Sequence, residues 1–175
     1  MGRIADAEKR LKRALEIRPD YPEASYNLGN AFAAKGAMKD ALQSYQHALK
    51  LRPDYAEAQV NAGNALQALE RPAEALTHYE RAIALNPRMA DAHFNAGWVL
   101  VEVGRWNDAI PRLETALQLS SDFARARHAL GFALAKLGRI SEAISHYERY
   151  VRSAPEDLEA REELTKLRAE AGAAR

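Results

Sequence analysis

Pro19, Pro53 and Pro87 stand 34 residues apart, and Pro155 falls two periods further on, with Ser121 at the skipped place. A self-similarity of this length constrains the chain more than any local motif. A unit of that size cannot bury its own apolar face and has to stack on copies of itself. Blocks beginning at Pro22, Ala56, Ala90 and Ala124 bring Gly29, Gly63, Gly97 and Gly131 into one column and Ala41, Ala75, Ala109 and Ala143 into another. The reading is all-α, one domain over 1–175. It comprises a half unit over 1–21, full units over 22–55, 56–89, 90–123 and 124–157, and a capping helix and tail over 158–175.

Each unit reads as two helices. Ala24, Leu28, Ala31 and Phe32 recur at helical steps, as do Ala41, Leu42, Tyr45, Ala48 and Leu49 after the break at Gly36. Gly36, Gly104 and Gly138 suit the left-handed residue that ends a helix, and Glu70 departs from that pattern. Asp20 with Glu23, and Asp54 with Glu57, have the spacing of a capping box, which places helix starts near Pro22 and Ala56. Residues 3 to 17 match the second helix of a unit, with Ile4, Ala7, Leu11, Ala14 and Leu15 on one side. No first helix precedes them, so the chain is either cut from a longer array or begins with a half unit. Glu8, where later copies carry Leu42, Leu76, Ile110 and Ile144, suggests an exposed face there.

Mid-helix glycine costs about 1 kcal/mol relative to alanine, so four in register call for a packing reason. The expectation is that each faces the in-register alanine of its partner helix and lets the two backbones approach. Pro72 opens a helix where proline is tolerated, whereas Pro111 lies a turn or more inside one, where it removes a hydrogen bond and bends the axis slightly. Tyr150 replaces the alanine of earlier copies, which implies different packing next to the last helix. That helix, over roughly 156 to 171, keeps Ala160, Leu164, Leu167 and Ala171 on one side and is otherwise charged, as a solvating cap would be.

Composition removes several function classes. With 25 basic and 24 acidic residues the chain has no field of one sign, so nucleic acid is not an expected partner, nor is a membrane. The absence of cysteine excludes disulfides and Cys-ligated zinc. Together with a first stretch that is no signal peptide, it points to the cytoplasm.

Leu28, Gly29, Phe32, Ala41, Tyr45, Ala48 and Pro53, at these spacings, resemble the tetratricopeptide repeat family over essentially the whole chain. Departures are Ser25, Gln59, His93 and Arg127 where that family favours tryptophan, Ala62 and Ala96 for leucine, Ser121 for proline, and Tyr150 for alanine. The resemblance implies a right-handed α-solenoid whose first helices line a concave groove used to bind extended peptides or helices of partners.

In this register the inward face carries Glu23, Tyr26, Asn27 and Asn30, then Glu57, Val60, Asn61 and Asn64. It continues with Asp91, Phe94, Asn95 and Trp98, then Arg125, His128, Ala129 and Phe132. The groove thus passes from amide-rich and acidic to aromatic and basic. Asn27, Asn61 and Asn95 share one position, and an amide can pair with a peptide backbone whatever its side chains are. With first helices about 8–10 Å apart and an extended chain advancing about 3.3 Å per residue, the ladder meets about every third residue. The ASYNLGNA and AHFNAGWV stretches also look like the repeat domain of O-linked N-acetylglucosamine transferases, which carries a similar ladder. Another use of the fold, clamping a C-terminal carboxylate with basic residues, is excluded by Glu23, Tyr26, Glu57, Asp91 and Asn95 at the corresponding places. Phe94, Trp98 and Phe132 are either an anchor pocket or a cover for the stacked core.

The histidines, His47, His78, His93, His128 and His146, show no ligand spacing and read as solvated surface residues; no metal or cofactor is expected. No nucleophile has a base and orienter in sequence, so the chain is not expected to be an enzyme. Three readings follow: a peptide-binding scaffold, the substrate-selecting part of a larger glycosyltransferase-type enzyme, or a self-assembling scaffold that joins copies through Ile4, Ala7 and Leu11 of the half unit.

Overall fold

The computed structural model describes residues 2–173. Ten helices occupy them, and no strands: α1 Gly2–Ile17, α2 Pro22–Ala34, α3 Met38–Leu51, α4 Ala56–Ala68, α5 Pro72–Leu85, α6 Ala90–Glu102, α7 Trp106–Leu119, α8 Ala124–Lys136, α9 Ile140–Ser153 and α10 Leu158–Ala173. They fall into two compact units, Met1–Pro87 and Arg88–Arg175. In the first, α1 packs on α2, α2 on α3, α3 on α4 and α4 on α5; in the second, α6 to α10 pack consecutively in the same way. Within each unit alternate first helices also touch, α2 with α4 and α6 with α8. This is the all-α solenoid arrangement of stacked helix hairpins.

The alanine column is fully buried in every hairpin, at Ala41, Ala75, Ala109 and Ala143. The glycine column does not face it. A methyl added at Gly29 would come 2.5 Å from the Tyr45 ring, at Gly63 2.6 Å from Tyr79, at Gly97 2.8 Å from Leu113 and at Gly131 3.0 Å from Tyr147. The glycines are therefore seats for a large side chain four residues beyond the alanine, and that side chain sets the separation of the two helices. Tyr45, Tyr79 and Tyr147 are the largest fully buried side chains.

The expected capping boxes do not form. Tyr21 and Tyr55 take the N-cap positions of α2 and α4, without a side-chain cap bond. Asp20 is exposed, and Glu23 instead pairs with the Arg52 guanidinium. Acidic residues in the first turn, Glu23 and Glu57, still favour these helix starts through the positive end of the helix dipole. One helix does have an unforeseen side-chain cap: Asp157 Oδ1 accepts the Ala160 N–H at 3.0 Å at the start of α10. Its other oxygen accepts the Tyr150 hydroxyl at 2.8 Å, which explains a tyrosine in an alanine column.

Glu70 takes the same left-handed turn as the glycines, at φ 58° against 75°, 75° and 72° for Gly36, Gly104 and Gly138. Pro72 stands in the first turn of α5 and Pro111 inside α7, as the sequence indicates.

Three of the four positions where tryptophan is missing are buried and polar, and the fourth, Arg127, is half-buried. Ser25, Gln59 and His93 are 1%, 5% and 5% exposed. Ser25 Oγ lies 2.7 Å from His47 Nδ1, and Gln59 Oε1 lies 2.7 Å from His78 Nδ1. The expectation of solvated histidines is corrected for His93, which is buried, and for His78, His128 and His146, which are half-buried; His47 is exposed, with its Nδ1 turned back to Ser25. Glu8, expected on an exposed face, is half-buried: its carboxylate holds Lys35, at the C-terminal end of α2, at 2.7 Å and Lys12, one turn on in α1, at 2.6 Å.

Candidate functional site

In the first unit the packing of α2 beside α4 leaves a cavity of about 230 Å³ lined by Asn30, Asn61, Asn64, Tyr45 and Met38. Its walls carry no charged group. Asn30 is the hub: its Oδ1 accepts the Tyr45 hydroxyl at 2.8 Å and Asn61 Nδ2 at 2.9 Å. Asn61 Nδ2 also donates to the Tyr26 hydroxyl at 3.2 Å, which ties α4 to α2. Burial pushes the Tyr45 phenol up to about 12, so it remains a donor at any physiological pH. The next copy repeats the contact, with the Tyr79 hydroxyl 2.7 Å from Asn64 Oδ1.

In the second unit α6, α8, α9 and α10 surround a cavity of about 310 Å³. Trp98 and Phe132, in register with Asn30 and Asn64, form its apolar wall, with His128, Lys136, Tyr147, Glu159 and Glu163 around it. The Trp98 indole N–H donates to Glu102 Oε1 at 2.9 Å. Lys136 Nζ stands 5.0 Å from the Phe132 ring centre. His128 packs on the Tyr150 ring at 4.8 Å and edge-on to Tyr147 at 5.5 Å. Burial lowers its pKa below 6.5, against the opposing pull of Asp157 and Glu159, which keeps the imidazole neutral at pH 7.

The expected inward residues thus divide. Asn30, Asn61, Asn64, Trp98, His128 and Phe132 line cavities; Tyr26 is half-buried between Tyr45 and Tyr55, and Asn27 is exposed. Asn95 is half-buried. Val60, Phe94 and Ala129 do not reach the open face: they are 7%, 7% and 0% exposed. Phe94 is covered by Phe123, at 4.8 Å, with the Arg125 guanidinium over both rings. Trp98 and Phe132 therefore share their cavity without Phe94. In the ladder, Asn61 spends its N–H groups inside the protein, which leaves its carbonyl oxygen to accept.

Glu159 and Glu163 were not foreseen, although the signal was present. Carrying the 34-residue register one step past Arg125 and Ala129 lands on these two residues, because α10 occupies the place of another first helix. Reading α10 only as a cap concealed them. Among the described residues, no three His, Asp or Glu side chains gather to hold a metal ion, and no helix is long and apolar enough to cross a membrane.

Sequence models described as Tetratricopeptide repeat match residues 1–56, 54–122 and 100–171, and the chain belongs to that family. No curated protein matches it. Among solved structures, the crystal structure of MamA superimposes with a TM-score of 0.83 at 26% identity, over 90% of this chain and 92% of that one. YrrB, described as a tetratricopeptide protein with an unusual peptide-binding site, gives 0.83 at 26% identity over 93% and 84%. A thermophilic protein of the same family from Thermus thermophilus, TTC0263, gives 0.69 at 28% over 95% and 91%.

Proposed function

We propose that this protein is a non-catalytic interaction scaffold whose first helices hold an extended segment of a partner protein. One observation carries the reading. A single register position, occupied by Asn30, Asn64, Trp98 and Phe132, lines an open cavity in both units, while the residues immediately before and after it on each helix are buried. The side chains there change from asparagine in the first unit to aromatic rings in the second, as expected of a surface that reads a ligand rather than one that only stacks. The likeness to YrrB, a protein with a peptide-binding site, supports the same reading.

Selection of random dodecapeptides on the full chain, followed by anisotropy titration of the best binder, tests it. Trp98→Ala with Phe132→Ala is expected to weaken binding on the order of tenfold or more, as loss of an aromatic anchor does, with the helical signal unchanged. Equal binding by the variant would remove the proposal.

Self-assembly through α1 stands as a second reading, because Ala7 is exposed and Ile4 and Leu11 are only half-buried. A mass independent of concentration in light scattering would exclude it.

A further inference from the structure

We infer that the cavity of the second unit is a pocket for one lysine or arginine side chain of the bound segment, an inference that rests on the peptide-holding role above. Glu159 and Glu163 lie one helical turn apart on α10 and present two carboxylates to a space whose other wall is Trp98 and Phe132. A long basic side chain matches both surfaces: its alkyl stem packs on rings, and its cationic head seeks carboxylates and aromatic faces.

The pocket's own groups leave that role open. Among the described residues, the Glu159 side chain has no hydrogen-bond or ion-pair partner, and Glu163 has only Lys166, at 3.6 Å and 72% exposed. The indole N–H of Trp98 is already given to Glu102, so that side chain offers a ring rather than a donor. Lys136 is the one cation among the described residues of the wall, and its ammonium sits on the Phe132 ring, where an incoming cation would also find a face. Two carboxylates against one ammonium leave a single negative charge, His128 being neutral. One basic side chain balances it, whereas an acidic segment would meet repulsion.

Tyr147 adds an independent sign. It is 1% exposed and lines the cavity, yet its hydroxyl makes no hydrogen bond among the described residues. In the first two copies the equivalent hydroxyl donates to Asn30 or Asn64; here Phe132 stands in that place, so the hydroxyl emerges at the cavity wall unmet. It shares the cavity wall with Glu159 and Glu163, and burial, with the charge of both carboxylates adding to it, raises its pKa. The ring is buried while the hydroxyl opens on the cavity, and its lone pairs suit an ammonium or guanidinium N–H. The first unit's cavity has every equivalent hydroxyl met by an amide and no charge on its walls, so the preference belongs to the second unit alone.

The experiment uses the dodecapeptides selected on the full chain. The expected winners carry lysine or arginine at one fixed place, and norleucine there weakens binding on the order of tenfold. Glu159→Gln with Glu163→Gln is expected to erase the lysine-over-norleucine difference while norleucine peptides bind as before. Lys136→Met is expected to tighten lysine peptides by removing a competing cation. Winners without a fixed basic residue, a lysine preference that survives the double variant, or weaker binding by Lys136→Met would overturn the pocket and leave the scaffold reading standing. Recovery of no binding peptide at all would end both.

Discussion

The two units solve one packing problem with different chemistry. In the first, each buried tyrosine hydroxyl is matched by an asparagine from the paired helix, so Tyr45 answers Asn30 and Tyr79 answers Asn64. In the second, the same column reads Leu113 with Trp98 and Tyr147 with Phe132. The leucine needs no acceptor, and the tyrosine is left without one. Satisfied polar groups make the first cavity a finished piece of structure that offers a ligand few open valences. The second keeps rings, carboxylates and a hydroxyl exposed to whatever enters. The same register positions thus carry residues in different states of internal satisfaction.

The largest effect that would sharpen this contrast is steric. Gly29→Ala forces a methyl against the buried Tyr45 ring, where overpacking costs about 1–3 kcal/mol and outweighs the roughly 1 kcal/mol gained in helix propensity. Gly131→Ala meets Tyr147 at 3.0 Å rather than 2.5 Å and is expected to cost distinctly less. Urea unfolding of both variants checks the order, and equal losses would mean that the two hairpins pack alike.

Next comes the hydroxyl itself. Tyr45→Phe takes one donor away from the Asn30 carbonyl oxygen and is expected to cost about 1 kcal/mol, whereas Tyr147→Phe is expected to leave stability unchanged. A loss at Tyr147 equal to that at Tyr45 would show that its hydroxyl has an internal partner. Glu70→Gly then relieves a left-handed backbone at φ 58° and is expected to stabilise the first unit by about 0.5–1 kcal/mol, the gain at φ being partly offset by glycine's freedom when unfolded. The same urea titrations measure it.

The smallest effect concerns pH. His78 in the first unit, and His128 and His146 in the second, have pKa values lowered from 6.5, chiefly by burial. Arg127 and Arg149 reinforce the shift at His146, while Glu74, Asp157, Glu159 and Glu142 oppose it at their respective neighbours. The folded state binds these protons less readily than the unfolded one. Stability is therefore full above about pH 6.5 and declines as pH falls through the lowered folded values. Thermal melts between about pH 7.5 and 5 should show the decline, with His128→Gln and His146→Gln together removing more of it than His78→Gln. The reverse order would contradict the assignment of burial at these sites.

Much of this was legible in the chain. Periodicity gave the helices because a stripe every three to four residues has no other way to be buried, and the starts at Pro22 and Ala56 fell where Asp20 with Glu23 and Asp54 with Glu57 put them. Capping boxes failed because spacing permits a bond without forming it: Glu23 found a stronger partner in Arg52. The glycine column was misassigned to alanine because contact across two helices depends on side-chain direction, which sequence spacing does not carry. Phe94 looked like an inward aromatic for the same reason, until Phe123 and Arg125 closed over it.

The sequence by itself determined the repeat, its 34-residue length, the helix pairs and the residue types offered at each position, since these follow from chain chemistry and local periodicity. Only the tertiary structure decided which of those residues are spent on one another. Hydrogen bonds such as Tyr45 to Asn30, and the placement of α10 so that Glu159 and Glu163 face Trp98 and Phe132, join residues distant in the chain. Whether a polar group is satisfied internally or left for a partner is settled by that juxtaposition, because a donor's worth depends on what the fold sets within about 3 Å of it.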